Sequence, residues 1–255
     1  MPNDPRLDDI PRGNTSRGVH QAIVEYLLEL GDSFDGKAML DIPCGKGSFL
    51  STLRRFFPKV LLRGCDLEKP SDLATEDFCV IDTNYPFTVF PETPFDYIFS
   101  ISGVMEFDNT LQFFSQCHKH LKDEGLFFVS NDNVAGIRDR LSFFWFGKPK
   151  QYSLFVTQKQ PTWKIIPLSN MVRILQDAGF RVREIRYVSL RWKDWLPLPL
   201  ALLIYPIQFL HIQTATTSIP RALRHEMYSF CSLLSRHYII ICEKANGLIR
   251  STPQN

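Results

Sequence analysis

Residues 39–50 read MLDIPCGKGSFL: an apolar run that closes on Asp41, a turn holding Gly45 and Gly47, then the start of a helical pattern. A strand running through a glycine turn into a helix commits the chain to strand–helix units of one hand and hence to a parallel sheet. The pattern continues on both sides. Val19, Ile23, Leu27 and Leu28 recur at helical spacing before Gly31, and Lys37–Ile42 is the first strand. A helix over 47–56, strands at Val60–Cys65, Phe78–Ile81 and Phe95–Ser100, a helix over 109–121 and a strand at Leu126–Ser130 follow. Helices around 134–146 and 169–178 come next, and the β-type segments Arg181–Leu190 and His237–Cys242 are expected to form an antiparallel pair at one sheet edge.

Three ligands commonly use a strand–glycine turn–helix. A P-loop needs GxxxxGK[ST], but Leu40 stands at its first glycine and Lys46 precedes a glycine. A dinucleotide fingerprint needs GxGxxG, and Leu50 occupies the third place. S-adenosylmethionine remains. Its sulfonium and ammonium are cationic, so Asp41 at the strand end is favourable there and unfavourable beside a pyrophosphate. Gly45 and Gly47 let the backbone approach without a Cβ, and Pro43 fixes the entry to the turn.

The segment DIPCGKG resembles motif I of class I S-adenosylmethionine-dependent methyltransferases, with proline at the first glycine of the usual DxGxGxG. LLRGCDLE resembles the second motif, which implies that Asp66 accepts both ribose hydroxyls and Leu67 lies against adenine. DFCVIDT places Asp82 and Thr83 beside the adenine by the same likeness. FDYIFSISGVMEF resembles the family's fourth motif, so Ser100 to Ser102, Ser100 and Ile101 foremost, are expected at the methionyl end, with Phe107 where histidine is frequent. LKDEGLFFVSN and the later LQDAGF are similar to the type 11 and MetW-like members. The resemblance spans about residues 37–190 and implies a Rossmann-like, seven-stranded, mostly parallel sheet in the order 3-2-1-4-5-7-6, strand 7 antiparallel, with helices on both faces.

The acceptor side is less legible. Site-building loops follow the strand ends, which nominates Glu106 and the run Asn131 to Asn133, Asn131 first, as catalytic candidates, with His20 or Tyr152 from covering elements. Cys117 and His120 share a helical face but lack further ligands, so no metal is expected. A net charge of +2 argues against a nucleic-acid surface, and of six cysteines with no CxxC pair three sit in or beside predicted strands, which reads as small buried hydrophobes of a reducing, cytoplasmic setting. Residues 1–15 are expected as a flexible arm, and 16–255 as one domain with an apolar helical insertion at about 193–234. Residues 196–220 carry no Asp, Glu, Lys or Arg, and a lid, a dimer face and a peripheral membrane contact all stay open for them. The expected function is methyl transfer from S-adenosylmethionine to a small-molecule acceptor. The alternative is a non-catalytic protein of the same fold that acts through a protein or membrane partner.

Overall fold

The computed structural model describes residues 4–71, 73–157 and 164–245. Its sheet contains β1 (Ala38–Asp41), β2 (Leu61–Asp66), β3 (Phe78–Val80), β4 (Phe95–Ile101), β5 (Leu121–Asp132), β6 (Phe180–Val188) and β7 (His237–Lys244). The order is β3-β2-β1-β4-β5-β7-β6, and β7 runs antiparallel to both neighbours, as the sequence led one to expect. β1 is an apolar run up to Asp41 and is buried along its whole length, because both sheet faces are covered. Consecutive residues go to opposite sides: Leu40, Ile98, Phe127 and Ile240 join one core, while Met39, Phe99, Phe128 and Ile239 join the other.

The second core is closed by α1 (Val19–Leu30) and α2 (Ser48–Phe56), the first by α3 (Thr110–His120) and α5 (Leu168–Asp177). Beyond β5 stands α4 (Ile137–Phe146). Between β6 and β7 the chain forms α6 (Leu198–Thr214), α7 (Arg221–Met227) and α8 (Phe230–Leu234). α6 is apolar on all sides and holds Pro206; among the described residues no helix is long and apolar enough to cross a membrane.

Residues 4–15 lie against the domain. Leu7 is buried with α1 and α2, Ile10 packs beside it, and the Arg6 guanidinium sits 4.7 Å from the Phe56 ring centre. Met1 to Asn3 and residues 246–255, the outer ends of the expected arm and domain, lie outside the described residues. Both ring nitrogens of His120 are engaged, by Val89 N–H and the Gln116 carbonyl, and Cys117 is buried in the core.

Gly64 in β2 faces Leu50 of α2, Leu73 and Cys44 of the glycine turn; a Cβ there would lie 2.8, 3.0 and 3.1 Å from them. Gly64→Ala therefore overpacks the seam that holds the turn. A loss of about 1–3 kcal/mol in stability is expected, read as a lower urea midpoint at unchanged slope.

Candidate active site

The turn after β1 is braced from β2. Cys44 N–H donates to the Cys65 carbonyl at 2.9 Å, and Gly45 N–H donates to Asp66 Oδ2 at 2.7 Å. Gly45 and Gly47 have φ of 53° and 74°, a region that strains any residue with a Cβ. The Ile42–Pro43 peptide is cis, and Gly103 admits the Pro43 ring, since a Cβ at Gly103 would lie 2.7 Å from Pro43 Cγ. Asp66 Oδ1 accepts from Leu67 N–H at 2.7 Å. Each Asp66 oxygen thus takes one backbone donor and keeps a lone pair for another.

This turn borders a cavity of about 290 Å³ at the carboxyl ends of β1, β2 and β4. Asp41, Pro43, Gly45, Asp66 and Ile101 contribute to its wall, and His20 of α1 closes it from above. Asp41 is buried, with Oδ1 lacking any partner, and burial followed by the charge of Asp66 pushes its carboxyl well above the usual range. An unpartnered acid of this kind is stabilised by a cation placed beside it. Gly47 opens α2 beside Pro70, and Gly47, Leu67, Asp82 and Thr83, expected at the cofactor, are not part of this wall. Asp82 follows β3 next to β2, where Ile81 N–H bonds the Asp66 carbonyl. Leu67 is 63% exposed.

A second chamber of about 370 Å³ shares Asn14, Thr15, Ser102 and Glu106 with the first. Its far wall holds Asp132, Tyr152 and His237. Through the shared wall runs an unbroken hydrogen-bonded chain. Thr15 Oγ1 is 2.6 Å from Ser102 Oγ, Ser102 Oγ is 3.1 Å from His237 Nε2, and His237 Nδ1 is 3.0 Å from Asp132 Oδ1. With the proton on Nδ1 held by Asp132, Nε2 is free to accept from the Ser102 hydroxyl. Ser102 has φ 57°, a strained conformation for serine at a cost of about 1–3 kcal/mol. It is held by Ser102 N–H bonding to Ser130.

The expected site residues fall unevenly around these chambers. Glu106 lies on the wall common to both. Asn131 is buried within β5 next to Tyr238, away from either cavity, and the neighbouring Asp132 faces the chamber instead. Ser100 is fully buried in β4, and Ser102 takes the place at the wall. His20 Nδ1–H donates to the Pro11 carbonyl at 2.9 Å, the ring packs on Phe49, and burial lowers its pKa to about 4. It is therefore a neutral ring with little proton affinity. Ser102 and Asp132 fall within the stretches 100–102 and 131–133 that the sequence singles out, whereas Thr15 and His237 carry no sequence signal of their own, because residues 102 and 237 meet only through the sheet.

A model of the methyltransferase domain matches residues 16–185. The chain belongs to the methyltransferase domain family. Its sheet is that of the class I S-adenosylmethionine-dependent methyltransferases. Solved structures share the fold. An S-adenosylmethionine-dependent methyltransferase from Archaeoglobus fulgidus is 17% identical, with a TM-score of 0.52 and coverage of 89% of this chain and 96% of the other. Haemonchus contortus phosphoethanolamine N-methyltransferase 2, in complex with phosphomonomethylethanolamine and S-adenosylhomocysteine, is 18% identical with a TM-score of 0.53; 92% of this chain covers 55% of that one. The [4+2]-cyclase SpnF is 17% identical with a TM-score of 0.52, covering 97% of this chain and 86% of its own. No curated protein sequence matches. The family match ends inside β6, so α6 to α8 and the whole of β7, including His237, lie beyond it.

Proposed function

We propose that this methyltransferase binds S-adenosylmethionine in the first cavity and methylates a hydroxyl-bearing small molecule held in the second. The observation that carries this reading is the Thr15–Ser102–His237–Asp132 chain, set in the wall between the two chambers. Proton removal is needed only when the acceptor atom carries a proton at working pH, and a hydroxyl is the common case.

The residues present fit the cofactor. Asp41 Oδ1, buried and unpartnered, suits the cationic ammonium end, and the spare lone pairs of Asp66 suit the ribose diol. The positive-φ glycines leave room for close backbone approach at Gly45, and Leu67, Asp82 and Thr83 stand at the strand ends where the adenine would extend. Ile101 and Pro43 shape the methionyl end. When bound, the cofactor supplies an electrophilic methyl on a sulfonium. The chain's own work is positioning, exclusion of water and proton transfer.

The acceptor hydroxyl bonds to Ser102 Oγ in this scheme. Transfer of the methyl to its oxygen would break the methyl–sulfur bond and leave S-adenosylhomocysteine, while the acceptor's proton would pass to Ser102 and the Ser102 proton to His237 Nε2. Asp132 stabilises the resulting imidazolium, and the proton later leaves to solvent. His237 suits this role better than His20: it has a carboxylate partner at 3.0 Å, whereas His20 has a carbonyl and a burial that disfavours its charged form. Glu106, at the common wall, borders both ligands.

The non-catalytic alternative predicts a cavity plugged by the aromatic run 143–146. Those four side chains are exposed on α4 and line no part of the two chambers. The same Ser–His–Asp geometry also activates acyl-transferring serines. A fluorophosphonate probe separates the two readings: labelling of Ser102 favours acyl transfer, whereas transfer of labelled methyl to a panel of phenols and alcohols, without such labelling, favours the proposal. Methylation confined to amines lacking an ionisable proton would contradict it.

Asp41 gives a pH signature. Its raised pKa means the empty site holds a proton there over a pH range where a bound ammonium would displace it. Binding therefore releases a proton, and affinity for S-adenosylhomocysteine, which keeps the ammonium, rises with pH up to the raised value. Calorimetry in buffers of different ionisation enthalpy reads this directly. In Asp41→Asn the buffer dependence disappears.

A further inference from the structure

α4 and α6 flank α8 in one small core made of Ile137, Ala201, Leu233 and Leu234, and Arg140 Nη2 ties α4 to Gln208 Oε1 of α6 at 2.8 Å. The outer sides of this unit are apolar and bare. Phe144, Trp145 and Phe155 are 77%, 72% and 78% exposed, and Trp192, Leu196 and Leu203 are 73%, 71% and 67%. Trp145, Phe146, Leu154 and Leu196 border a single groove of about 860 Å³. A soluble surface seldom shows so many large apolar side chains around one groove.

The charge on the same face has one sign. Within residues 134–157 and 189–225 the only acids are Asp139 and Asp194. Both are buried and paired, Asp139 with Arg138 at 3.0 Å and Asp194 with Arg236 through two bonds of 2.6 and 2.7 Å. Lys150 and Lys193 border the groove and are exposed. Aromatic and aliphatic side chains with a rim of uncompensated cations match the interfacial layer of an anionic bilayer. A second copy of the chain would have to bring the same cations against themselves.

The groove also abuts the acceptor chamber. Along 148–154, Lys148, Lys150 and Leu154 border the groove while Gln151, Tyr152 and Ser153 border the chamber. At the start of β7, Arg236 borders the groove and His237 the chamber.

We propose that the α4–α6 face docks on an anionic lipid surface, and that the acceptor is an amphiphile whose hydroxyl reaches Ser102 from that surface. Docking stands on this face alone, while delivery of the acceptor rests on the reading of the second chamber given above.

Sedimentation with phosphatidylcholine–phosphatidylglycerol vesicles, in the absence of cofactor, tests docking by itself. The wild-type chain is expected to sediment with these vesicles, less with phosphatidylcholine alone, and less as salt rises. Phe144→Ser with Trp145→Ser, or Lys150→Glu with Lys193→Glu, should weaken binding by about tenfold or more. Both double variants change exposed side chains outside the two chambers, so S-adenosylhomocysteine binding and the melting temperature should stay at wild-type values. Absence of vesicle binding overturns the proposal, as does equal binding by wild type and both variants. So does a concentration-dependent dimer that the aromatic variant abolishes while vesicles are ignored. If vesicles bind but no membrane-borne hydroxyl is methylated while a water-soluble one is, docking stands and delivery falls. Failure of S-adenosylhomocysteine to bind would count against the cofactor reading of the first cavity and, with it, against delivery, and would leave docking untouched.

Discussion

Asp132→Asn and His237→Gln are expected to lower methyl transfer to a hydroxyl acceptor by about 10²–10⁴-fold, with S-adenosylhomocysteine affinity unchanged. The two residues face each other as the register pair that ends the β5–β7 ladder, so an amide at position 132 keeps the shape and removes only the charge. It offers His237 Nδ1 no anion, which deprives the imidazolium of its stabiliser and weakens the control of the tautomer. Ser102→Ala interrupts the chain one link earlier and gives a similar loss in rate. A purely structural role would show as lost folding or lost S-adenosylhomocysteine affinity, and not as a slower transfer alone. Unchanged rates in both variants would rule out the relay and leave methyl transfer to proceed by positioning.

Asp66→Ala removes the cofactor's anchor and part of the site that receives it. Its carboxylate holds Gly45 N–H and Leu67 N–H at 2.7 Å each and would also accept the ribose diol. Two charge-assisted hydrogen bonds of roughly 1.5 kcal/mol or more apiece set a combined loss of about 3 kcal/mol, or over a hundredfold in affinity. The turn loses its brace as well, which adds to the effect. Calorimetry against S-adenosylhomocysteine reads the affinity, and circular dichroism separates it from unfolding. Asp82→Ala, one strand further out and bonded to Asn84 N–H, should cost less.

Whatever repeats at short range was legible in the sequence. The apolar strands, the glycine turn and the acids at the ends of β1 and β2 are local patterns, and the sheet order followed from them together with the family resemblance. Glu106, Tyr152 and the stretches that hold Ser102 and Asp132 were singled out one by one, but their grouping around His237 in a second chamber was not legible, because its members meet only through the sheet. Ser102 and His237 lie 135 residues apart and His237 and Asp132 105 apart, joined by strand pairing rather than by spacing. The choice between Asn131 and Asp132 hangs on a register, since neighbours on a strand point to opposite faces. Only the pairing of Asp132 with His237 sends the acid toward the chamber. Ser100 and Ser102 differ for another reason: Ser100 is inside the ladder, whereas Ser102 has left it with a positive φ that turns its hydroxyl to the wall. Residues 196–220 announced burial or lipid by their lack of charge, but which side of α6 meets the core depends on α8, and that is a tertiary fact.

The central claim is that the turn of β1 and the acid of β2 form a site for S-adenosylmethionine, with the proton relay at its back. Calorimetric titration of the wild-type chain with S-adenosylmethionine and S-adenosylhomocysteine, with NADH as control, tests it most directly. Saturable binding of both sulfur nucleotides, with proton release to the buffer and none of either with NADH, is the predicted result. A folded protein that binds neither, or that binds NADH in their place, would contradict the account.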